Sequence, residues 1–343
     1  MLASALLVAA AAAVPALAGN SKILIPLYNS DESCWPDLQE AATANAGLVD
    51  FIAIMNPQDG PGSNDVTNPS LYCIPVLRRA IPGITLLGYV TTGRDADVPS
   101  DLADYTSWSN LTVSQGNVTG TAELDGIFFD EVPSFEEPGN DIATWVGYAD
   151  SARQAFNGNA TVMYNPGIFA NNTDYLQLYT AGEYVVVYED TWANFQNATL
   201  PEDPVYQAHS VVMISNFPAD GATTTLQSTT GELDTYGAQF ITNLDIGTTD
   251  IYGQFGSDWR SFVSSVAAWP KDDGFPTPIG PLSATSSSAA STTSSGTSSA
   301  PSSARTASAV TSGPSSTPTS GASALKAAGL TVAAVAVAGA LLA

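Results

Sequence analysis

Eight short apolar segments alternate with eight segments of mixed polarity along the chain, and this alternation restricts the possible folds most. The apolar segments are rich in Val, Ile, Phe and Tyr and lie at residues 23–28, 49–55, 85–90, 126–129, 161–164, 184–188, 210–215 and 239–243. Short continuous apolar runs are typical of parallel strands that are buried on both faces. The segments between and after them predict helices at residues 35–45, 69–80, 99–110, 142–156, 173–180, 192–196, 224–236 and 258–269.

Eight successive strand–helix units in about 250 residues predict an α/β fold, a (β/α)8 TIM barrel. The main alternative is an open doubly wound sheet. That fold often carries a glycine-rich phosphate-binding motif after its first strand, and this sequence has none there. In a (β/α)8 barrel the active site lies at the carboxyl ends of the strands, so the residues that follow each predicted strand are the candidates for function.

The first residues of the chain have the pattern of a secretory signal. An apolar run precedes Ala16-Leu17-Ala18, which has the spacing of a signal-peptidase cleavage site. Residues 1–18 are therefore predicted to be a signal peptide, and residues 19–275 are predicted to be the barrel domain.

The last part of the chain has a composition that cannot form a core. Ser, Thr and Pro dominate residues 276–320, which predicts a disordered Ser/Thr-rich stalk that carries O-linked glycans. Small residues and then an apolar tail at residues 321–343 are typical of a GPI-attachment signal. The alternative is a C-terminal anchor helix. We expect a secreted protein at the outer face of the plasma membrane or in the cell wall, with a GPI lipid as its one membrane contact.

The charge of the chain excludes several classes of ligand. With 33 Asp and Glu against nine Lys and Arg, the formal net charge is −24. Such a charge repels phosphates, so nucleic acid is a poor partner, whereas cationic ligands such as amino sugars are attracted. The single His and two Cys are too few for a His/Cys metal site, so we expect neither a metal nor an organic cofactor. We expect a monomer.

The remaining covalent features fit an oxidising, extracellular compartment. Cys34 and Cys73 are the only cysteines, and we expect them to form a disulfide. Five sequons in the predicted domain are expected to carry N-linked glycans. These sequons begin at Asn110, Asn117, Asn159, Asn171 and Asn197.

Carboxylates follow two of the predicted strands. Asp130 and Glu131 end the fourth strand, and Glu189 and Asp190 end the sixth. Glycoside hydrolysis needs two carboxyl groups that face each other across a glycosidic bond, one protonated and one ionised. Neighbouring strand residues point to opposite faces, so Asp130 and Glu131 are not expected to serve equally. The alternative for any one of these acids is helix capping or simple exposure to solvent.

Other side chains near the strand ends are candidates for binding sugar hydroxyls or stacking on sugar rings. They are Tyr28, Asn56, Tyr89, Asn165 and Trp192. The alternative is packing and turn formation, especially for Asn56 and Asn165, which precede prolines. For Trp192 the alternative is a place in the core. His209 precedes the seventh strand, at the opposite end of the barrel, where we expect a structural role.

Five motifs, in order and at strand spacing, resemble the spherulin-4 (spherulation-specific) family of fungi and slime moulds over about residues 22–269. The motifs are Ile25-Pro26-Leu27-Tyr28, Ile54-Met55-Asn56-Pro57, Gly88-Tyr89-Val90, Asp125-Gly126-Ile127-Phe128-Phe129-Asp130-Glu131 and Tyr164-Asn165-Pro166-Gly167. The family includes glycoside hydrolase family 135, (β/α)8 enzymes that cut α-1,4-linked N-acetylgalactosamine in galactosaminogalactan. The resemblance implies that Asp130, Glu131 and Glu189 match the acidic residues of the family.

The stereochemistry of that implied substrate restricts the mechanism. In an α-linked 2-acetamido sugar the acetamido group is cis to the leaving group and cannot attack from the back, so an enzyme carboxylate has to act. We therefore expect a retaining double displacement, with Asp130 as nucleophile and Glu189 as acid/base. Glu131 would tune a neighbouring pKa or bind a sugar hydroxyl. The roles of Asp130 and Glu189 could be exchanged, and Glu131 could replace Asp130.

The function implied is that of a cell-surface endo-glycosidase whose partner is a galactosamine-containing polysaccharide of the wall or matrix. One alternative is a non-catalytic wall protein that binds glycan during sporulation. Another is a hydrolase for a different α-galactoside or amino sugar. Endo or exo action, the acetylation preference and the GPI attachment residue stay open.

Overall fold

The structure is a computed structural model. It describes residues 19–93, 96–136, 139–218, 222–269 and 280–282. The chain divides into two units, Met1–Ser288 and Ala289–Ala343, and all described residues belong to the first unit. The predicted signal peptide, the predicted GPI signal and nearly all of the predicted stalk lie outside the described residues.

Eight parallel strands close into a barrel, which confirms the predicted (β/α)8 fold. The strands of the chain are β1 (Ser21–Leu27), β2 (Val49–Met55), β3 (Thr85–Thr91), β4 (Thr112–Gln115), β5 (Val118–Thr121), β6 (Gly126–Asp130), β7 (Thr161–Tyr164), β8 (Tyr184–Thr191), β9 (Ser210–Ser215) and β10 (Ala238–Ile241). Around the barrel the order is β1, β10, β9, β8, β7, β6, β3, β2, while β4 and β5 form a separate hairpin. Each of the eight predicted strands overlaps one barrel strand.

Helices follow the barrel strands and cover the outside of the barrel. They are α1 (Pro36–Ala44), α2 (Pro69–Ala80), α3 (Val98–Trp108), α4 (Ile142–Ala155), α5 (Thr173–Ala181), α6 (Trp192–Phe195), α7 (Pro204–Gln207), α8 (Ala222–Glu232) and α9 (Trp259–Ala267). The sequence analysis did not predict α7, which is too short to show a helical period. Asp203 caps α7 by accepting the Val205 N–H at 2.9 Å.

The β4–β5 hairpin was also not predicted. Its turn contains Gly116, whose φ of +58° favours glycine. A two-stranded hairpin is marginally stable alone. Here it packs against α2, since a Cβ added at Gly120 would lie 2.7 Å from the Cβ of Pro75. That tertiary contact, which local sequence does not reveal, stabilises the hairpin.

Buried apolar side chains form two clusters on either side of the strand wall. One fills the barrel interior and includes Leu24, Ile54, Phe128 and Met213. The other lies between the strands and the helices, and the strand neighbours Ile23 and Ile25 belong to it. The alternation of strand side chains between these clusters decides which residues at the strand ends point into the barrel.

A disulfide joins the loop after β1 to α2, between Cys34 and Cys73.

At the amino-terminal end of the barrel, the Leu282 N–H donates to the Tyr179 carbonyl at 2.8 Å, so this piece of the predicted stalk contacts α5. Within the described part of the chain, none of the helices has the length and apolar character that a membrane span requires. The asparagines of the five sequons, Asn110, Asn117, Asn159, Asn171 and Asn197, are all exposed.

Candidate active site

Two carboxylates point into the mouth of the barrel, the end formed by the carboxyl termini of the strands. Asp130 is the last residue of β6 and lies two positions after Phe128, an interior residue. Glu189 lies in β8 and pairs with Met213 of β9, another interior residue. A register shift between Val186 and Tyr188 precedes it. This irregularity reverses the alternation in β8 and turns Glu189 inward.

Asn165, the first residue after β7, lies between the two carboxylates. Its Nδ2 donates to Asp130 Oδ1 at 2.7 Å and to Glu189 Oε2 at 2.5 Å. The two acceptor oxygens are therefore at most about 5.2 Å apart, the sum of the two hydrogen-bond lengths. The NH2 group of the amide faces the two carboxyl groups, the orientation that two acceptors on one side favour. The Asn165 Oδ1 is buried, with no hydrogen-bond partner in the described structure.

The backbone holds Asn165 in this place. Its N–H donates to the Phe129 carbonyl at 2.8 Å, and its own carbonyl accepts the Val132 N–H at 3.1 Å. The side chain is occupied by the two carboxylates and only 7 % of the residue is exposed. Asn165 is thus arranged to hold Asp130 and Glu189 together more than to meet a sugar directly.

Each carboxylate also accepts a hydrogen bond from a tyrosine. Tyr89 of β3 donates to Asp130 Oδ2 at 2.8 Å, and Tyr252, in the loop between β10 and α9, donates to Glu189 Oε1. Tyr28 packs between these two rings, with centroids 5.4 Å from Tyr89 and 5.2 Å from Tyr252. The structure thus brings the predicted Tyr28 and Tyr89 to the carboxylates and adds Tyr252.

Burial dominates the electrostatics of this pair. It raises the pKa of Asp130, against hydrogen bonds from Tyr89, Asn165 and the Glu131 N–H, which favour the carboxylate. Burial also raises the pKa of Glu189, against hydrogen bonds from Tyr252 and Asn165, and the charge of Asp130 raises it further. Two close carboxyl groups of this kind titrate as a coupled pair, which favours a state that shares one proton.

The three tyrosines of the site remain neutral. Burial raises the pKa of Tyr28, Tyr89 and Tyr252, and the charges of nearby carboxylates raise each of them further. Their hydroxyl groups therefore keep their protons throughout the pH range in which the two carboxyl groups titrate.

Glu131 lies apart from the pair, as the strand alternation predicts. Its φ is +58°, its side chain is exposed, and its Oε2 accepts the Thr91 hydroxyl at 2.6 Å. A Cβ at Gly93 would lie 1.8 Å from this Oε2, so a side chain at position 93 would displace the Glu131 carboxylate from this place. The Glu131 charge still acts on the site, because it raises the pKa of Asp130.

Two candidate sugar contacts occupy other places. Asn56 is buried, and its Oδ1 accepts the Gly60 N–H at 3.0 Å, which closes a turn. Trp192 packs between Phe195 and Phe217, with ring centroids 5.7 and 4.6 Å away. Asn56 thus makes the contact of a turn, and Trp192 is a partly buried residue that packs against the core. His209 lies below β9, with Nδ1 2.9 Å from the Glu183 carbonyl.

Tyr252 is the site residue that the sequence analysis missed. It follows no strand directly, and the residues around it have the composition of an ordinary polar loop. The weak signal was the position of this loop after the eighth strand, where mouth residues are expected.

A cavity of about 450 Å³ lies between the segment after β1 and the loop after β10, and neither Asp130 nor Glu189 is among the described residues that line it. Tyr252 lines it and also contacts Glu189. Other lining residues include the aromatic Trp35 and Phe255 and the acidic Asp31 and Glu32. Among the described residues, no group of three or more His, Cys, Asp or Glu side chains could hold a metal ion.

A sequence profile described as Spherulation-specific family 4 matches residues 22–266, which is most of the chain and contains the barrel except for one residue at each end. The chain belongs to this family. None of the curated proteins searched matches the chain. Its barrel is similar to the crystal structure of Aspergillus clavatus Sph3 in complex with GalNAc, with a TM-score of 0.57 and 25 % identity, covering 72 % of this chain and 98 % of that one.

Other solved barrels are more distant from this member of the spherulation-specific family. The apo endo-β-N-acetylglucosaminidase of Cordyceps militaris has a TM-score of 0.45 and 11 % identity, over 73 % of this chain and 91 % of that one. A Streptococcus mutans protein, KGPDC, has a TM-score of 0.37 and 11 % identity, over 73 % and 98 % of the two chains. These two similarities are too low to carry a functional argument.

Proposed function

We propose that the chain is a glycoside hydrolase that cleaves a polysaccharide of α-1,4-linked N-acetylgalactosamine or galactosamine. The observation that carries the proposal is the pair Asp130 and Glu189, joined by Asn165 at the mouth of the barrel. Retaining glycosidases place two carboxyl groups about 5–5.5 Å apart, and inverting enzymes about 6.5–9.5 Å. The short distance between the Asp130 and Glu189 oxygens favours the retaining mechanism.

The hydrogen bonds favour one assignment of roles. Asp130 accepts from Tyr89, Asn165 and the Glu131 N–H, whereas Glu189 accepts from Tyr252 and Asn165. More donors stabilise the ionised form, so the shared proton belongs on Glu189. We therefore propose Asp130 as the nucleophile and Glu189 as the acid/base. Glu131 acts through its charge on Asp130 or by binding a sugar hydroxyl.

The proposed reaction has two displacements. Asp130 attacks the anomeric carbon while Glu189 gives its proton to the glycosidic oxygen, which leaves with the electron pair of the broken C–O bond. Glu189 then takes a proton from water as the water oxygen attacks the same carbon and releases Asp130. The starting protonation state is restored, and no cofactor is needed.

Charge and similarity support an amino-sugar substrate. The similar Sph3 barrel was crystallised with GalNAc. The net charge of −24 attracts cationic chains and repels polyanions. Among the described residues that line the 450 Å³ cavity there is no Lys or Arg, whereas Asp31 and Glu32 are present. These acidic side chains, in the segment after β1, would repel sugars that carry carboxylate or sulfate groups.

We further propose that the protein acts as a monomer at the cell surface, on wall or matrix polysaccharide. This location depends on the secretory and GPI signals of the sequence, and it agrees with the exposure of the five sequon asparagines. A tethered enzyme of this kind would act on polymer near the cell that makes it.

Product release tests the proposal. Secreted full-length protein is incubated with purified galactosaminogalactan, and mass spectrometry reads the soluble products. Oligosaccharides containing N-acetylgalactosamine are expected from the wild type and not from Glu189→Gln. A Glu183→Gln variant, changed at the opposite end of the same strand, is the matched control and should release products. Binding without products would favour the glycan-binding alternative. If the protein neither bound the polysaccharide nor released products from it, this polysaccharide would be excluded as the substrate.

A further inference from the structure

Tyr252 reaches Glu189 from a loop that is fastened on both sides. The Asn29 Nδ2 donates to Asp250 Oδ2 at 3.2 Å and to the Gly253 carbonyl at 3.3 Å. Between them, the Tyr28 N–H donates to the Tyr252 carbonyl at 3.2 Å. The segment after β1 therefore determines where the Tyr252 side chain lies.

The ring of Tyr252 is also held by packing. Its centroid lies 5.2 Å from that of Tyr28 and 6.1 Å from that of Phe240, an interior residue of β10. The hydroxyl at the end of this fixed ring donates to Glu189 Oε1, while Asn165 donates to Oε2. Both oxygens of Glu189 therefore have a defined donor, which fixes the plane of the carboxyl group.

We propose that Tyr252 is a positioning residue, which holds the carboxyl group of Glu189 for proton transfer as Tyr89 holds Asp130 for nucleophilic attack. This inference rests on the proposed function. Asn165 donates hydrogen bonds to both acids, and each acid also accepts a hydrogen bond from one tyrosine of its own. The tyrosines are therefore the groups through which the two acids can be adjusted separately.

The titratable groups that face Glu189 are Asp130 across Asn165, Tyr252, and Tyr28 between the tyrosines. The charge of Asp130 raises the pKa of Glu189, and the hydroxyl of Tyr252 lowers it. In the same way the hydroxyl of Tyr89 lowers the pKa of Asp130, against the charge of Glu131. Removal of either hydroxyl should raise the pKa of the acid that it contacts.

Removal of the Tyr252 hydroxyl and removal of the Tyr89 hydroxyl should change the pH dependence of kcat in different ways. A higher pKa at Glu189 keeps the acid protonated to higher pH, so the alkaline limb of the plot of kcat against pH shifts to higher pH. A higher pKa at Asp130 means that the nucleophile ionises only at higher pH, so the acidic limb shifts to higher pH instead. A hydrogen bond to a charged carboxylate stabilises the ionised form, so its loss should displace the limb by about one pH unit or more.

The test compares kcat and KM against pH for the wild type, Tyr252→Phe and Tyr89→Phe. Phenylalanine keeps the ring, so KM should stay within about twofold in Tyr252→Phe. Tyr206→Phe in α7, whose ring packs on Tyr179 4.8 Å away, is the matched control and should move neither limb. An unmoved alkaline limb in Tyr252→Phe, or an acidic limb that moves in its place, would overturn the inference.

A second measurement is independent of turnover. Carboxyl ¹³C NMR follows the titration of Glu189, identified with Glu189→Gln, in the wild type and in Tyr252→Phe. A pKa higher by about one unit in the variant supports the inference, and an unchanged pKa contradicts it. If the protein released no products from any glycan, the proposed function would fail, and this titration would still decide whether Tyr252 controls the protonation of Glu189.

Discussion

Strands β6 and β8 each begin and end near an acid, and the two ends treat these acids in opposite ways. At the amino-terminal end, Asp125 pairs with Arg78 at 3.0 Å and accepts the Leu86 N–H at 2.7 Å. Glu183, just before β8, pairs with Arg153 at 3.0 Å. At the mouth, Asp130 and Glu189 accept from tyrosine hydroxyls and a shared asparagine amide.

The difference lies in the partners and not in the residue type. An arginine and a backbone N–H neutralise and solvate a carboxylate, so the acids at the amino-terminal end stabilise the fold. Neutral donors solvate a carboxylate only in part, and the second acid nearby opposes ionisation. The mouth therefore holds its acids in a state that disfavours charge. That state is useful for proton transfer and is unfavourable for stability.

The largest expected effect is on turnover. Glu189→Gln should lower kcat by about 10³-fold, since general acid catalysis contributes about 10²–10⁴-fold. Glu183→Gln, at the other end of the same strand, should leave kcat per folded molecule within about twofold. Initial rates on the polysaccharide, normalised to the folded fraction from circular dichroism, measure both. A large loss of kcat in Glu183→Gln would break the comparison.

The second effect is on stability, where Glu183→Gln and not Glu189→Gln is expected to cause the larger loss. Arg153 and Glu183 are 23 % and 15 % exposed, and Glu183 Oε2 also accepts the Val162 N–H at 2.6 Å. Loss of one partner of a buried pair costs about 3–5 kcal/mol, so this partly exposed pair should cost about 2–3 kcal/mol in Glu183→Gln.

Urea unfolding of the same two variants measures this cost. Glu189→Gln should keep the wild-type free energy of unfolding or exceed it, because it removes a buried acid. An additional Arg153→Met change should recover part of the loss in Glu183→Gln, since it removes the unpaired cation. Equal destabilisation by the two single variants would contradict the assignment of the amino-terminal acids to stability.

The third effect is on the pH dependence of stability. The pKa of both mouth acids is raised in the folded state, so the folded state binds their protons more tightly than the unfolded state does. This contribution is complete below the ordinary carboxyl pKa of about 4 and is lost as pH rises through the folded values. The double variant Asp130→Asn/Glu189→Gln should therefore gain stability relative to the wild type as pH rises.

Thermal unfolding from pH 4 to pH 8 shows whether the stability of the double variant relative to the wild type rises or falls with pH. The difference in Tm between the double variant and the wild type should grow with pH. A difference that shrinks with pH would show that the mouth acids are stabilised as carboxylates, like those at the amino-terminal end.

The smallest effect concerns the more exposed ion pair. Arg78 and Asp125 have side chains that are 34 % and 35 % exposed, so water screens their attraction. Asp125→Asn should lower the free energy of unfolding by less than about 1 kcal/mol, because exposed pairs contribute little and the amide oxygen can still accept the Leu86 N–H. Unfolding at low and high salt should show that part of this difference disappears with salt.

The barrel and half of the site were predictable because they depend on local sequence. Continuous apolar runs identify buried strands, and the end of each run locates the mouth. The same reasoning placed Asp130 and Glu189 at the mouth, and strand alternation separated Asp130 from Glu131. It did not separate Asn165, which joins the carboxylates, from Asn56, which closes a turn, since both are asparagines before proline.

The sequence by itself determined the order of the eight barrel strands, the family, and which of these strands end in acids. Only the tertiary structure decided how those acids meet. The register shift in β8 turns Glu189 inward, and it depends on pairing with β9. Tyr252 reaches Glu189 because Asn29 fastens the loop after β10 to the segment after β1, residues far apart in the chain. Such long-range hydrogen bonds leave no periodic pattern in the sequence, because they depend on neither helix nor strand spacing.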